Sequence, residues 1–244
     1  MKKLIVSLAV LVLAGIAPLA QASIQITWSV DGGGVGKSGS CISLVATFPN
    51  DWEVTCGSFS NSGLNISTLN ANSNSPGTAS LSNEASATGN ITNTTGAIHT
   101  FHMDVVSQDF SLPVTPPVLN FFSQIGGSVT TGTADNALKY RSCIDQTNSL
   151  TGCPATYQSA FSTPNVKVSN SAYNDTEHSL ITPLNSPYAI DEHLDITVGA
   201  NGILNFGAST SITPVPEPMS IALLGGVVLL TSRLMRRRKQ NQTS

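Results

Sequence analysis

Short runs in which apolar and polar residues alternate, separated by glycine and asparagine, constrain the fold of this chain most. Ile24, Ile26, Trp28 and Val30 alternate with polar neighbours, which is the pattern of a half-buried strand. Between positions 23 and 215, no segment of about 12 residues or more keeps a helical period. The pattern predicts an all-β fold, a single β-sandwich of about eight to ten strands. Similar runs occur at 42–48, 64–69, 98–106, 165–168 and 194–198.

The composition supports an exported, turn-rich β protein. Charged residues make up only 10% of the 244-residue chain, which has 32 Ser, 25 Thr and 19 Asn and a formal net charge of −3. A nucleic-acid-binding protein would need a basic face, and a disordered chain would have far less than 40% hydrophobic residues. We therefore expect no nucleic-acid partner. The segment 70–93, rich in Ser, Asn, Thr and Gly, is predicted to be either a long surface hairpin or a loose loop.

The N-terminus has the three parts of a secretory signal peptide. Lys2 and Lys3 precede the apolar run 4–13, and Ala20 and Ala22 form an A-x-A cleavage site. The apolar run is shorter than the ~20 residues that a membrane-spanning helix needs. We expect signal peptidase to remove residues 1–22 between Ala22 and Ser23, and the rest of the chain to be exported.

The C-terminus has a second arrangement of three parts. The triplet Pro216, Glu217 and Pro218 precedes an apolar segment at 219–235, and four consecutive cations follow it. As a helix the apolar segment would be about 25 Å long, somewhat short of the ~30 Å hydrocarbon core of a bilayer. It is predicted to be a short transmembrane helix, around which the bilayer would thin. The positive-inside rule places the cations in the cytoplasm and residues 23–215 outside.

This tail resembles the PEP-CTERM protein-sorting domain of Gram-negative bacteria. The resemblance covers about a tenth of the chain and implies recognition by an exosortase, a membrane cysteine protease or transpeptidase. It also implies an intermediate anchored in the inner membrane, followed by delivery to the outer cell surface or the extracellular matrix. By this resemblance, Pro216, Glu217 and Pro218 would be the recognition triplet. The stop signal would consist of Arg236, Arg237, Arg238 and Lys239.

The predicted organisation is a signal peptide at 1–22, an exported β-rich domain at 23–212, the sorting segment at 213–239 and a tail at 240–244. All four cysteines lie in the exported domain, where an even number is typical of disulfides. Three pairings are possible. Cys41–Cys56 and Cys143–Cys153 are favoured because each closes a short loop. The closely spaced cysteine pairs of a zinc site are absent from the sequence.

Histidines and carboxylates give weak signals for chemistry. A strand at 98–106 would place His102 and Asp104 on one face and His99 on the other. His178 and His193 each follow a carboxylate. Surface histidines are the simpler interpretation, so no metal or acid–base site is assigned to them.

A second weak signal is the group Asp191, Glu192 and Asp195, of which the two aspartates would share a face of a strand. Glycoside hydrolysis needs two carboxylates at a fixed separation, which nearness in sequence does not establish. Calcium binding is favoured over catalysis, but the spacing of an EF-hand is absent from the sequence. We therefore predict no catalytic, cofactor-binding or metal-binding residues.

The predicted function is that of an exported, non-enzymatic surface protein with a structural, adhesive or exopolysaccharide-associated role. One alternative is a secreted hydrolase of extracellular polysaccharide. Another is a carbohydrate-binding module, in which Trp28, Trp52 or a row of tyrosines would form an exposed flat platform. Aromatic residues make up only 6% of the chain, which disfavours this second alternative. The hydrolase would draw its catalytic residues from Asp104, Asp191, Glu192 and Asp195.

Overall fold

The computed structural model describes residues 23–33, 37–43, 46–48, 51–115, 118–149, 157–159, 161–182 and 184–216. These residues form fifteen β-strands in two sheets. Among them there is no helix long and apolar enough to cross a membrane. The all-β prediction is confirmed for this part of the chain, with more strands than expected. The predicted signal peptide and membrane segment lie outside the described residues.

The strands follow one another closely along the chain. They are β1 Ile24–Val30, β2 Ser38–Ser43, β3 Ala46–Phe48, β4 Asp51–Cys56, β5 Phe59–Asn61, β6 Leu64–Ile66, β7 Leu69–Ser73, β8 Ser82–Asn93, β9 His99–Phe110, β10 Leu119–Thr131, β11 Ala137–Asp145, β12 Tyr157–Gln158, β13 Ser171–Ile181, β14 Tyr188–Val198 and β15 Ile203–Pro214. The six-stranded sheet has the order β12-β11-β14-β9-β1-β2. The nine-stranded sheet has the order β13-β10-β15-β8-β7-β4-β3, and β6 links the β5–β6 hairpin to β8.

Most predicted strands are present with shifted ends. The runs at 24–30, 98–106 and 194–198 correspond to β1, β9 and the second half of β14. The run at 42–48 is divided between β2 and β3, and the run at 64–69 between β6 and β7. The segment 70–93 resolves into the antiparallel pair β7 and β8, so the hairpin alternative is correct.

The prediction of a strand at 165–168 is wrong. Val166 is buried, as its apolar character indicates. However, the carbonyl oxygen of Val166 accepts a hydrogen bond from the Asn136 side chain, and the Gly132 N–H donates to the Ser169 hydroxyl. Side chains therefore hold this segment, rather than a backbone ladder.

The interior between the sheets consists of two hydrophobic clusters with a layer of polar residues between them. Along β15, Leu204, Phe206 and Ala208 belong to the first cluster and Ile212 to the second, while Thr210 lies between. The other long strands contribute inward polar residues at the same level. We call this layer the polar belt, and its members, all buried, are Ser73, Glu84, Ser86, Ser107, Ser123, Ser142, Glu192 and Thr210.

Candidate functional site

Two histidine–aspartate pairs lie on the outward face of the six-stranded sheet. The antiparallel register of β9 and β14 sets His193 opposite Asp104 and Asp195 opposite His102. The His102 Nδ1 lies 2.5 Å from Asp195 Oδ1, and the His193 Nδ1 lies 2.5 Å from Asp104 Oδ1. The predicted common face of His102 and Asp104 is confirmed. His99 lies elsewhere, next to Asp31.

The surroundings of His193 favour its charged form. The hydrogen bond from His193 to Asp104 raises the pKa of the imidazole against the opposing effect of burial, and Asp195 adds to the rise. Each of the four side chains remains about a quarter to a third exposed, so solvent screens the pairs. Within the described ranges, no group of three or more His, Cys, Asp or Glu residues is arranged to hold a metal ion.

Asp191 lies further along the same face of β14 but in a different environment. It is only 1% exposed, and neither carboxylate oxygen has a hydrogen-bond partner. Burial raises the pKa of Asp191 to about 8, and the charge of Asp104 contributes to the rise. Glu192, the next residue, faces the interior instead. The structure therefore separates Glu192 from the other three carboxylates that the hydrolase alternative required.

The polar belt holds Glu192 through hydroxyl groups from both sheets. Ser86 and Thr210, from the nine-stranded sheet, donate to Glu192 Oε2 and Oε1 over 2.5 and 3.1 Å. The hydroxyl of Tyr140, from the six-stranded sheet, donates to Oε1 over 3.4 Å. Burial raises the pKa of Glu192 to about 7, although these hydrogen bonds oppose the rise.

Glu84 is a second buried glutamate, which the sequence analysis missed. Burial raises its pKa well above the ordinary value, and the charges of Glu192 and Asp191 add to this. The Ser107 backbone amide favours the ionised form, but without a hydrogen bond of good geometry to either carboxylate oxygen. Alternation along β8 is the sequence signal that could have identified it, because Glu84 lies two residues from each of the inward residues Ser82 and Ser86.

The aromatic residues proposed as a flat platform do not form one. Trp28 stacks on Phe59 with ring centroids 4.1 Å apart and packs against the first hydrophobic cluster. Tyr140, Tyr173 and Tyr188 are buried. Trp52 also packs against the first hydrophobic cluster, but part of its side chain borders an open groove.

This groove, which we call the Trp52 groove, has a volume of about 540 Å³. The indole N–H of Trp52 donates to the Ser75 carbonyl over 3.0 Å, which fixes the ring. Glu53 and Asn72 are cross-strand neighbours on β4 and β7, and both are exposed. The groove is lined by Asp51, Trp52, Glu53, Asn72, Ser73, Asn74 and Asn83.

A second open groove, of about 430 Å³, lies on the same sheet. The exposed side chains of Asn65 and Asn90 give it a neutral amide lining, and Phe59 and Thr92 border it. We call it the Asn65 groove. Neither groove includes the histidine–aspartate pairs or the buried glutamates.

One of the two predicted disulfides is confirmed. Cys41 on β2 is bonded to Cys56 on β4, with Cα atoms 5.8 Å apart, so the bond links the two sheets. Cys143 is buried, and its predicted partner Cys153 lies outside the described residues. The pairing Cys143–Cys153 therefore stays a prediction.

The residues predicted for sorting and processing fall mostly beyond the described ranges. Ser23 is described and buried, and its hydroxyl bonds to the Gln108 side chain over 3.0 Å. At the other end, β15 continues to Pro214, two residues into the predicted sorting segment, and Pro216 is exposed. Residues outside the description are Ala22, Glu217, Pro218, Arg236, Arg237, Arg238 and Lys239.

No protein-family model and no curated protein matches the chain. Among solved structures it is similar to the CBM22-1 xylan-binding domain from Paenibacillus barcinonensis Xyn10C, at 12% identity over 66% of this chain and 88% of that one, with a TM-score of 0.28. It is also similar to the K1 cleaved adhesin domain of Lys-gingipain from Porphyromonas gingivalis W83. That match has 12% identity over 68% of this chain and 99% of that one, with a TM-score of 0.30. At these scores neither structure assigns a function to this chain.

Proposed function

We propose that this protein is an exported, surface-associated β-sandwich whose Trp52 groove binds a neutral polysaccharide without modifying it. The observation that carries the proposal is a half-buried indole, held in place by its N–H bond to Ser75, in an open groove lined with amide and carboxylate side chains.

The chemistry of the groove suits a sugar chain. A pyranose ring has an apolar C–H face and a rim of hydroxyl groups. An indole can cover the first, while amides and carboxylates donate to and accept from the second. The volume of about 540 Å³ lies within the usual range of small-ligand sites. Because the groove is open, a polymer can continue beyond it.

The charge of the protein favours a neutral polymer over an acidic one. Between residues 23 and 215 the chain has four basic residues and 13 carboxylates, a formal net charge of −9. Asp51 and Glu53 line the groove itself. A polyanion would be repelled by this field, and the repulsion would grow as salt is removed.

The proposed route to the surface uses signal peptidase and exosortase, with temporary anchoring in the inner membrane. The disulfide between Cys41 and Cys56 supports an oxidising destination. Mass spectrometry of the protein from strains with and without exosortase tests this route. We expect loss of the residues that follow the Pro216 region only when the exosortase is present, and a full-length tail in both strains would contradict it.

Fluorescence titration with neutral oligosaccharides tests the binding site. Trp28→Phe leaves Trp52 as the remaining tryptophan of the chain, so its emission should report binding directly. In that background we expect Asn72→Ala, an exposed change, to weaken binding about tenfold. Asn65→Ala, in the other groove, is the matched control and should bind normally. Equal losses in both variants, or binding that leaves the emission of Trp52 unchanged, would exclude the Trp52 groove.

A further inference from the structure

An aromatic pair lies on the outer face of the nine-stranded sheet, where β10 and β13 run side by side. Phe122 stands directly opposite His178 in the antiparallel register, and the centroids of the two rings are 4.7 Å apart. Phe121 and Ser123, on either side of Phe122, are buried, so Phe122 points away from the core. His178 is exposed and Phe122 is half-buried, so the pair presents ring surface to solvent.

Strand pairing places this aromatic pair in line with the Trp52 groove. Phe122 lies opposite Ser211 on β15, and Ser211 lies opposite Asn83 on β8. The Asn74 N–H donates to the carbonyl of Asn83, and the Asn83 N–H donates to the side-chain oxygen of Asn74. Asn74 and Asn83 both line the groove. One row of residues therefore crosses the strands from His178 to the Trp52 groove.

A second row crosses the same strands beside the first. Gln124 lies opposite Ser209 on β15, and Ser209 lies opposite Ala85 on β8. Ala85 in turn lies opposite Asn72 on β7, which also lines the groove. All residues of the two rows are at least partly exposed. We call the two rows together the transverse strip.

The dimensions of the transverse strip suit an extended polymer. Adjacent strands of a sheet are about 4.8 Å apart, so the four intervals from β13 to β7 span about 19 Å. Between the aromatic pair and the groove, the side chains of Ser209, Ser211 and Ala85 are small and form a low floor. A linear chain can therefore cross the strands and remain in contact with the protein over this whole distance.

The chemistry of the strip matches that of a neutral sugar chain. Except for the imidazole of His178, its side chains are uncharged. Within the described part of the chain, the side-chain amides of Asn72, Asn83 and Gln124 make no hydrogen bond, so they are available to donate to and accept from sugar hydroxyls. The ring of Phe122 can cover the apolar C–H face of a pyranose.

We propose that the transverse strip extends the Trp52 groove, and that the two together bind one extended, linear, neutral polysaccharide that runs across the strands, with a sugar unit on the Phe122–His178 pair. The inference rests on the function proposed for the Trp52 groove and adds a second contact region and a direction for the polymer. It predicts that affinity depends on the length of the sugar chain.

The same surface is poorly suited to a second copy of the chain. The centre of a stable protein interface is apolar, whereas the strip consists mostly of amides, hydroxyls and small side chains. The formal net charge of −9 between residues 23 and 215 also makes two copies repel each other. A neutral polymer experiences no such repulsion.

Isothermal titration calorimetry of the purified exported protein with oligosaccharides of two lengths tests the inference. The probes are the trisaccharides and hexasaccharides of xylan, cellulose and β-mannan. We expect a hexasaccharide to bind about tenfold more tightly than the corresponding trisaccharide, because it also covers the Phe122 ring. Phe122→Ala should remove this difference by weakening hexasaccharide binding, and should leave trisaccharide binding in the groove unchanged.

Further variants separate recognition from a structural role of Phe122. His178→Ala changes an exposed position and should also weaken hexasaccharide binding, whereas Phe122→Tyr keeps the aromatic ring and should bind normally. Ile98→Ala is the matched control, because Ile98 is an apolar residue that is 53% exposed and precedes β9 in the other sheet. Its binding should equal that of the wild type. Thermal unfolding checks that each variant is folded.

The outcomes distinguish this inference from the proposed function. If Asn72→Ala weakens hexasaccharide binding but folded Phe122→Ala and His178→Ala do not, the strip is excluded and the groove is retained. The same holds if both lengths bind equally well. Absence of binding at either length would overturn both proposals. Sedimentation velocity detects the other occupant: a dimer that Phe122→Ala dissociates would assign the strip to self-association and overturn the inference.

Discussion

The two faces of β14 carry the same kinds of side chain in opposite surroundings. Its outward face has Asp191, His193 and Asp195, and its inward face has Glu192 between Ile190 and Leu194. Outside, His193 pairs with Asp104, and solvent reaches both side chains. Inside, Glu192 is hydrogen-bonded only to neutral hydroxyl donors among the described residues. Where solvent reaches the outer face, His193 is therefore paired with a carboxylate. At the buried positions, Glu192 inside and Asp191 outside, the surroundings favour a carboxyl group that keeps its proton.

Among the tests of this difference, a change of pH is expected to have the largest effect on the free energy of unfolding. An unfolded glutamate has a pKa of about 4.3, whereas burial raises the pKa of Glu192 to about 7 in the folded protein. Between these values the folded state holds a proton that the unfolded state has lost, so the free energy of unfolding falls as pH rises. Over the range between these values Glu192 alone contributes about 4 kcal/mol to this fall, and Glu84 and Asp191 act in the same direction.

Urea unfolding at pH 5 and pH 8 measures this effect. We expect the protein to be more stable at pH 5, and a triple variant, Glu84→Gln with Asp191→Asn and Glu192→Gln, to lose most of the difference. The raised pKa of His193 leaves a smaller difference of the same sign. Equal stability of the wild type at the two pH values would show that these buried carboxyls do not change their protonation on folding.

Removing Glu192 should have the next largest effect. Glu192→Ala leaves a cavity and deprives the hydroxyls of Ser86, Thr210 and Tyr140 of a common acceptor. We expect a loss of about 2–4 kcal/mol at pH 5, measured by the same unfolding experiment. Glu53→Ala, at an exposed position on β4, is the control and should change stability by less than about 0.5 kcal/mol. Similar losses in both variants would contradict the role assigned to the belt.

The smallest effect is expected on the outer face. Asp195→Asn removes the partner of His102 where both side chains are about 30% exposed. We expect a loss of less than about 1 kcal/mol at pH 6, which high salt should reduce further. A loss as large as that of Glu192→Ala would mean that the outer pairs are not screened and that the two faces of β14 do not differ in the way described.

Alternation along the chain predicted only the strands whose inward residues are apolar. β1 and β9 fit the pattern over most of their length. Strands such as β10, β11 and β15 escaped it, because the belt residues Ser123, Ser142 and Thr210 interrupt the inward row. The belt is a property of the assembled sandwich. Its residues line up only after the sheets are paired.

Local sequence patterns were equally limited in predicting the candidate sites. The common face of His102 and Asp104 followed from a period of two, but their partners on β14 are about 90 residues away along the chain. His99 bonds to Asp31, which lies 68 residues upstream. A single sequence has no signal for such long-range registers. The Trp52 groove likewise depends on the pairing of β4, β7 and β8.

The two ends of the described chain leave the sandwich on the same side. The Ser23 carbonyl accepts from Gln108 near the end of β9, and the Val215 N–H donates to Val118 just before β10. The turn between β8 and β9 lies at the opposite end of β9, whose 12 residues extend about 40 Å. An attachment at either end of the described chain would therefore place this turn about 40 Å from the point of attachment.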